Sequence, residues 1–475
     1  MKRLLTLLLV LLLPLTALCE GITPEPLDAQ DAPTITPEPL GIQDAPTATP
    51  EPLNGPAVTL HVAGGMNSAY DAFRQMYPHI SIETTEDDYF SANAIISSLM
   101  TRDATYDIMK VSTSSVDIAQ IIDRGYALPM EDSEIIADYV NSLYPALRDM
   151  VTRDGRIYAV PLFLHCQEGG YVPQSFEELG LEVPATWQEL AALINAWPDQ
   201  PDEVREEYEI NQWTMNYREW FLRRMTERYV THMEATGQEL HFDTPLYREL
   251  VSLVDTMTTE NDTDEELDAN YLMGNGYIEP IQMGYTWDTP LLDLAMEGRV
   301  THTVYACLVI LNPYTQHAEE AQRCIEVMIG RISAPVRQTM VDAAYVTPVE
   351  DPDYPQRVAD WEAEKARLEK KLAESAEADR PDVQEELRWH EAYGASLDAS
   401  KWLITAESIP AYAKVFETLY FPGPSVLDAK DEHDAYARSI ASTLQARYIA
   451  GQIGMDDFIR EMESRMQMVL KERGN

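Results

Sequence analysis

From Ala57 onward the apolar positions follow two alternating periods. Val58, Leu60 and Val62 are separated by Thr59 and His61, the period of a strand, and Ala63-Gly64-Gly65 ends it. Tyr70, Phe73, Met76 and Tyr77 then fall on one helical face, stopped at Pro78. Ile80 and Ile82 alternate with Ser81 and Glu83 as a second strand, and Ala92, Ile95, Ile96, Leu99 and Met100 form a second helical stripe. Residues 106–111 read as a third strand. Val116, Ala119, Ile121 and Ile122 start a helix that ends at Gly125. Strand, helix, strand, helix, strand predicts an open α/β sheet with right-handed crossovers. Ligands of such sheets sit beyond the C-terminal strand ends, where residues 63–68 and 112–115 fall.

Further along, Asp154-Gly155 between two short apolar runs predicts a hairpin turn. Thr186-Trp187-Gln188-Glu189 is a capping box opening a helix with Leu190, Leu193, Ile194 and Trp197 on one face. Residues 203–237 read as mostly helical. Val358, Trp361, Leu368 and Leu372 form a stripe among many charges, and Pro381 starts another helix with Val383 and Leu387. Together they predict a solvated helical hairpin over 355–393.

The N-terminus is different. Met1-Lys2-Arg3, a Leu-rich run over 4–13, Pro14 and Ala17-Leu18-Cys19 have the layout of a secretory signal peptide, 1–19. A membrane anchor is the alternative, but the apolar run is short for a span of about 20 residues. Cys19 is either the last residue removed or a lipidation site, although Leu18 stands where a lipobox wants a small residue. Thr-Pro-Glu-Pro-Leu occurs at 23–27, 36–40 and 49–53. Proline at this density favours extended polyproline II, so 20–56 reads as a semi-rigid spacer.

Composition narrows the function. Lys+Arg number 35 against 80 Asp+Glu, for a net charge of −45. Such a surface repels phosphate backbones and anionic membrane faces, which argues against nucleic-acid binding. Four cysteines in 475 residues exclude a disulfide-stapled scaffold. Cys166, Cys307 and Cys324 read as buried small hydrophobes.

Several segments resemble one family. Asp154-Gly155-Arg156-Ile157-Tyr158-Ala159-Val160-Pro161 is similar to a strand of the sugar-type extracellular solute-binding proteins of ABC importers, the maltose-binding-protein-like group. So are Tyr171, Phe176-Glu177-Glu178-Leu179-Gly180-Leu181 and Pro184-Ala185-Thr186-Trp187-Gln188-Glu189-Leu190. Leu311-Asn312-Pro313 with Ala318-Glu319-Glu320-Ala321, and Gly451-Gln452-Ile453 with Asp456-Asp457-Phe458, resemble later segments. Val172 departs from the family's usual Asn, so that ligand contact is not carried over. The resemblance covers about 57–475. It implies an α/β, two-lobe periplasmic-binding-protein-like fold of type II with extra C-terminal helices. Lobe 1 would take 57–162 plus 298–346, and lobe 2 would take 163–297 plus 347–475. The crossings would lie near 162–166, 296–302 and 345–350. It further implies a small polar ligand, a carbohydrate, captured in the interlobe cleft and delivered to an ABC permease. The expected protein is a monomer outside the cell, touching membrane only if Cys19 is lipidated, with no cofactor or metal.

A sugar site wants aromatic platforms beside polar side chains. Tyr285, Trp287 and Asp288 supply both within one Gly- and Pro-bounded loop. Gly65 and Asn67 follow the first strand, Lys110 and Ser112 end the third, and His165, Gln167 and Glu168 follow the first expected crossing. Packing within a lobe is the plainer reading of each, and of Trp213 and Trp220, seven apart on one helix face. Glycoside hydrolysis would need paired carboxylates. No G-x-S-x-G, H-E-x-x-H or Walker loop is present, and Trp389-His390-Glu391 lacks a second zinc-ligand His. Asn261-Asp262-Thr263-Asp264-Glu265-Glu266 lacks the glycine and spacing of a calcium loop. The expectation is therefore a binding protein, not an enzyme. The alternatives are a sensor or adhesion module on the same fold, and a secreted glycan-degrading enzyme.

Overall fold

The structure is a computed structural model. It describes residues 56–64, 67–85, 92–166, 168–211, 217–257, 270–276, 278, 290–377, 380–429 and 439–473, all within one compact unit, Gly41–Asn475. Its strands are β1 (Val58–Ala63), β2 (Ile80–Thr84), β3 (Ile108–Ser112), β4 (Thr152–Arg153), β5 (Arg156–Ile157), β6 (Val160–Cys166), β7 (Gly169–Tyr171), β8 (Tyr208–Asn211), β9 (Asn270–Asn275), β10 (His302–Leu311), β11 (Val349–Glu350), β12 (Trp402–Ile404) and β13 (Leu419–Tyr420). The segment 1–55, with the expected signal peptide and nearly all of the spacer, lies outside the described residues.

The main sheet has the order β13-β10-β3-β1-β2, with β6 also on β10. β1 is parallel to β2 and β3, while β10 runs antiparallel to β3 and β6. The predicted helices appear as Asn67–Met76, Ala92–Met100 and Ile118–Asp123. They bury Tyr70, Phe73, Ile95 and Leu99 against the sheet, Tyr77 just after the first helix is buried too, and Met76 and Met100 at the helix ends stay exposed. Asp154 and Gly155 both have positive φ, 54° and 76°, as a type I′ turn between β4 and β5 requires.

A second core forms around the small sheet β7-β9-β8 and the helices Trp187–Ala196, Tyr217–Ala235, Pro245–Thr256, Ile440–Ile449 and Met455–Arg473. Thr186 caps its helix, and Glu189 reaches back one residue beyond the cap. Glu189 donates its backbone N–H to Thr186 Oγ1 at 3.1 Å, and its carboxylate accepts from the N–H of Ala185 at 2.8 Å. The expected helical run over 203–237 is interrupted by β8, whose Tyr208 and Ile210 enter the second core. Pairing with the distant β9 overrides local helical preference there.

The chain leaves the first core after Leu162 and returns to it with Ala306. Beyond 345–350, where the last crossing is expected, the chain still packs on the first core. Val346, Tyr412 and Phe416 all pack on the first core, and Phe416 stacks on Tyr144 at 3.7 Å between ring centres. Leu419 and Phe421 still pack on the first core, and residues of the second core resume at Val426. The helical hairpin is Tyr354–Glu374 and Arg380–Leu397, rising between the paired strands β11 and β12. Among the described residues no helix is long and apolar enough to cross a membrane.

Candidate functional site

The register of the main sheet brings three expected site residues onto one face. Lys110 lies opposite Val309, Ser112 and Phe163 both lie opposite Cys307, and His165 lies opposite Tyr305. Directly paired residues share a face, as do residues two apart in a strand. Lys110, Ser112, Phe163 and His165 therefore line a single surface near the C-terminal ends of β3 and β6. Contact bears this out, since Lys110 Nζ stands 5.4 Å from the centre of the Phe163 ring. Phe163 is 38% exposed, unusual for a phenylalanine inside a sheet, and His165 is exposed as well. Ser112 Oγ lies 2.8 Å from Ser114 Oγ.

Gly64 makes this surface possible. Its φ is +100°, and a Cβ there would come within 2.8 Å of Lys110 Cβ. Only glycine ends β1 in this conformation while the lysine stem crosses beside it. Tyr70 donates its hydroxyl to the Gly64 carbonyl at 2.9 Å, which holds the turn.

The second lobe approaches this surface at the start of β10. Thr231, on the helix Tyr217–Ala235, is 2.6 Å from Thr303 between hydroxyl oxygens. Tyr305 sits among the carboxylates of Asp428, Glu227, Glu168 and Glu234, and burial first, then those charges, push its hydroxyl well above the usual tyrosine range. Cys166 completes the edge, with burial pushing its thiol up to about 12. Beneath lies a small apolar cluster of Ile278, Leu291 and Val304 with Leu164, Leu419 and Phe421.

Glu168, an expected ligand contact, bonds within the protein. It is buried, and both carboxylate oxygens are taken by the protein. One accepts from Arg228 and the other from the backbone N–H of Thr303, each at 2.6 Å. Burial alone would raise its pKa, but Arg228 and His302 more than offset that and hold the carboxyl below its ordinary value. Tyr285, Trp287, Asp288, Gly65, Gln167, Trp213 and the acidic run 261–266 lie outside the described residues. Asn67 is placed as the first residue of its helix. Trp220 is buried in the second core. His390 stacks on Trp361, with 5.6 Å between ring centres, inside the hairpin. Cys307 and Cys324 are buried, and none of the three described cysteines is bonded.

Sequence reasoning missed Phe163 and Arg228. Alternation in Phe163-Leu164-His165-Cys166 was the available signal for the first. Nothing in the charged run around Arg228 set it apart.

No protein-family profile matches the chain, and no curated protein resembles it in sequence. Solved structures do. The cyclic α-maltosyl-1,6-maltose binding protein of Arthrobacter globiformis aligns with a TM-score of 0.50 at 16% identity, over 88% of this chain and 100% of that one. An ABC substrate-binding protein of Listeria monocytogenes in complex with cycloalternan aligns at 0.49 and 12%, over 88% and 100%. A solute-binding protein of Agrobacterium vitis with bound D-mannitol aligns at 0.47 and 13%, over 88% and 99%. The first of these establishes the fold, which is the two-lobe α/β fold of sugar-type solute-binding proteins.

Proposed function

We propose that this chain is an exported solute-binding protein that captures a carbohydrate between its lobes, performs no chemistry on it, and hands it to an ABC permease. The observation that carries this reading is the surface made by Lys110, Ser112, Phe163 and His165, set at the strand ends beside the second lobe. An exposed aromatic ring beside a cation and hydroxyls suits the apolar face and hydroxyl rim of a sugar. The fold neighbour from Arthrobacter globiformis is named for binding a cyclic maltosyl-maltose, which supports the same ligand class. Trp287 is the further platform we expect from the loop 284–288. Residues 1–19 would direct export, and 20–56 would hold the body away from the surface.

The test is a thermal-shift panel of linear and cyclic oligosaccharides and polyols, since a ligand that binds only the native state raises the melting point. A binder found this way should lose about tenfold or more in affinity to Phe163→Ala, from burial of about 1.5–3 kcal/mol. The melting point of the free variant should stay close to the parent's, because the ring is partly exposed already. No shift with any saccharide, or shortened products after incubation, would overturn the proposal.

A further inference from the structure

We infer that Glu168, Arg228, His302 and Asp293 form a proton-sensitive latch at the interlobe crossing, in which a neutral His302 holds the setting of the lobes and its protonation releases it. The inference rests on the two-lobe fold and not on the identity of the ligand. Glu168 follows β6 where the chain first crosses, and His302 opens β10 where it returns. Arg228 comes from the helix Tyr217–Ala235, whose Met225 and Tyr229 are fixed in the second core. Asp293 lies between Leu292 and Leu294, both of the same core. Both strands that cross are thus tied to one second-lobe arginine.

The hydrogen bonds form an unbroken chain. Arg228 Nη2 donates to Glu168 at 2.6 Å, Arg228 Nη1 to His302 Nδ1 at 3.1 Å, and His302 Nε2 to Asp293 at 2.8 Å. The other oxygen of Glu168 accepts from the N–H of Thr303. A guanidinium only donates, so His302 Nδ1 must present its lone pair and the proton must sit on Nε2. The neighbours therefore select the neutral imidazole and one tautomer.

A second proton would go on Nδ1. It would turn the acceptor into a donor facing a donor, and set two cations 3.1 Å apart in a site where His302 is fully buried and Arg228 is 4% exposed. The charged groups that face the ring are Arg228, Glu168 and Asp293, with Arg224 acting on Glu168 from the same helix. Glu168 is already engaged by Arg228 and Thr303, and the Asp293 side chain is 69% exposed, so water screens it. Burial and then Arg228 hold His302 below the ordinary histidine value despite the two carboxylates. The sign follows. Below about pH 6.5 the opened state takes up a proton that the latched state refuses, so the latch weakens as pH falls. A buried charge pair adds little net stability but fixes geometry, which suits a latch better than a core.

The test is amide hydrogen exchange on the full chain without ligand, at pH 7.5 and 5.5, corrected for intrinsic rates. The Thr303 region is compared with the first-core stretch around Leu308. In the parent, exchange near Thr303 should accelerate relative to Leu308 by about tenfold at the lower pH. In His302→Gln, which can accept from Arg228 and donate to Asp293 but cannot titrate, the ratio should be the same at both pH values. An equal acceleration in the variant, or none in the parent, would overturn the latch. If that variant does not fold, Asp293→Asn serves, because its site is exposed and it keeps the acceptor while removing the charge. The acceleration at pH 5.5 should then be at least as large as in the parent, because the latched state loses a carboxylate that favours the second proton, and a smaller acceleration would refute the inference.

Discussion

The two cores are built from different materials. The first is sheet-based, its strands contributing aliphatic Leu60, Val62, Ile108, Val111, Leu308 and Ile310, fully or almost fully buried, with aromatic rings supplied mainly by its helices. The second is aromatic and helical, centred on Trp187, Phe221, Tyr229, Phe242, Tyr247 and Phe458. Its rings meet in defined geometry, as where Trp187 and Phe221 cross at 89° with centres 5.3 Å apart. Its tyrosines also need partners. Tyr229 donates to the His241 carbonyl at 2.5 Å, and Tyr448 donates to Asp255 at 2.6 Å. Strand alternation specifies the first core from neighbours in sequence. The second is joined mainly by ring contacts and side-chain hydrogen bonds between helices, which strand alternation does not announce.

The largest expected effect tests that difference. Phe221→Ala should cost about 3–5 kcal/mol and Leu60→Ala about 2–5 kcal/mol, both sites being fully buried. Trp187, Trp197 and Trp220 belong to the second core, whereas the described residues of the first core include no tryptophan. Trp361, Trp389 and Trp402 lie outside both cores, and Trp389 and Trp402 are exposed, so the loss of buried tryptophan emission during denaturation follows chiefly the second core, while far-ultraviolet circular dichroism follows both. Phe221→Ala should move the fluorescence transition more than Leu60→Ala does. Identical shifts by both probes in both variants would mean that the cores unfold as one unit and that the contrast has no thermodynamic consequence.

The same contrast explains what could be read in advance. β1, β2, β3 and their helices were legible because Val58, Leu60, Val62, Ile80 and Ile82 keep strict alternation over a one-sided core. β8 was not, because Tyr208-Glu209-Ile210-Asn211 follows a charged helical run and is a strand only by pairing with β9. The late return of Tyr412 and Phe416 to the first core was equally hidden, since a buried stripe does not name the lobe it packs on. In the site, Lys110, Ser112 and His165 were reachable from the rule that ligands sit at strand ends. Their union on one face with Phe163 required the register of β10 between them. Glu168 is reachable from its place after the first crossing, but its partner Arg228 is 60 residues away and ties it to the protein itself.

A smaller effect probes how the second lobe's helices are started. Thr186 has extended backbone at the head of the helix Trp187–Ala196, and its hydroxyl accepts from Glu189. Thr186→Ala should cost about 1 kcal/mol. The loss should appear in the fluorescence transition, because Trp187 is the first residue of that helix. Glu189→Gln should cost less, since the amide oxygen still accepts from Ala185. A Thr186 variant as stable as the parent would mean that packing of Leu190 and Ile194 alone sets the helix start.

The smallest expected effect opposes the two histidines tied to the second lobe. His241 lies 2.8 Å from Glu463, and its side chain is 43% exposed. The hydrogen bond to Glu463 raises its pKa above the ordinary value, the reverse of His302, where burial lowers it. A raised histidine contributes stability that is fully present below about pH 6.5 and is lost as pH rises through its folded value. Water screens this pair, so the contribution should be on the order of a few tenths of a kcal/mol. His241→Gln should therefore melt slightly below the parent at pH 6 and level with it at pH 9. A deficit that is the same at both pH values would assign the role of His241 to shape rather than charge. A deficit that grows with pH would contradict the direction of its shift.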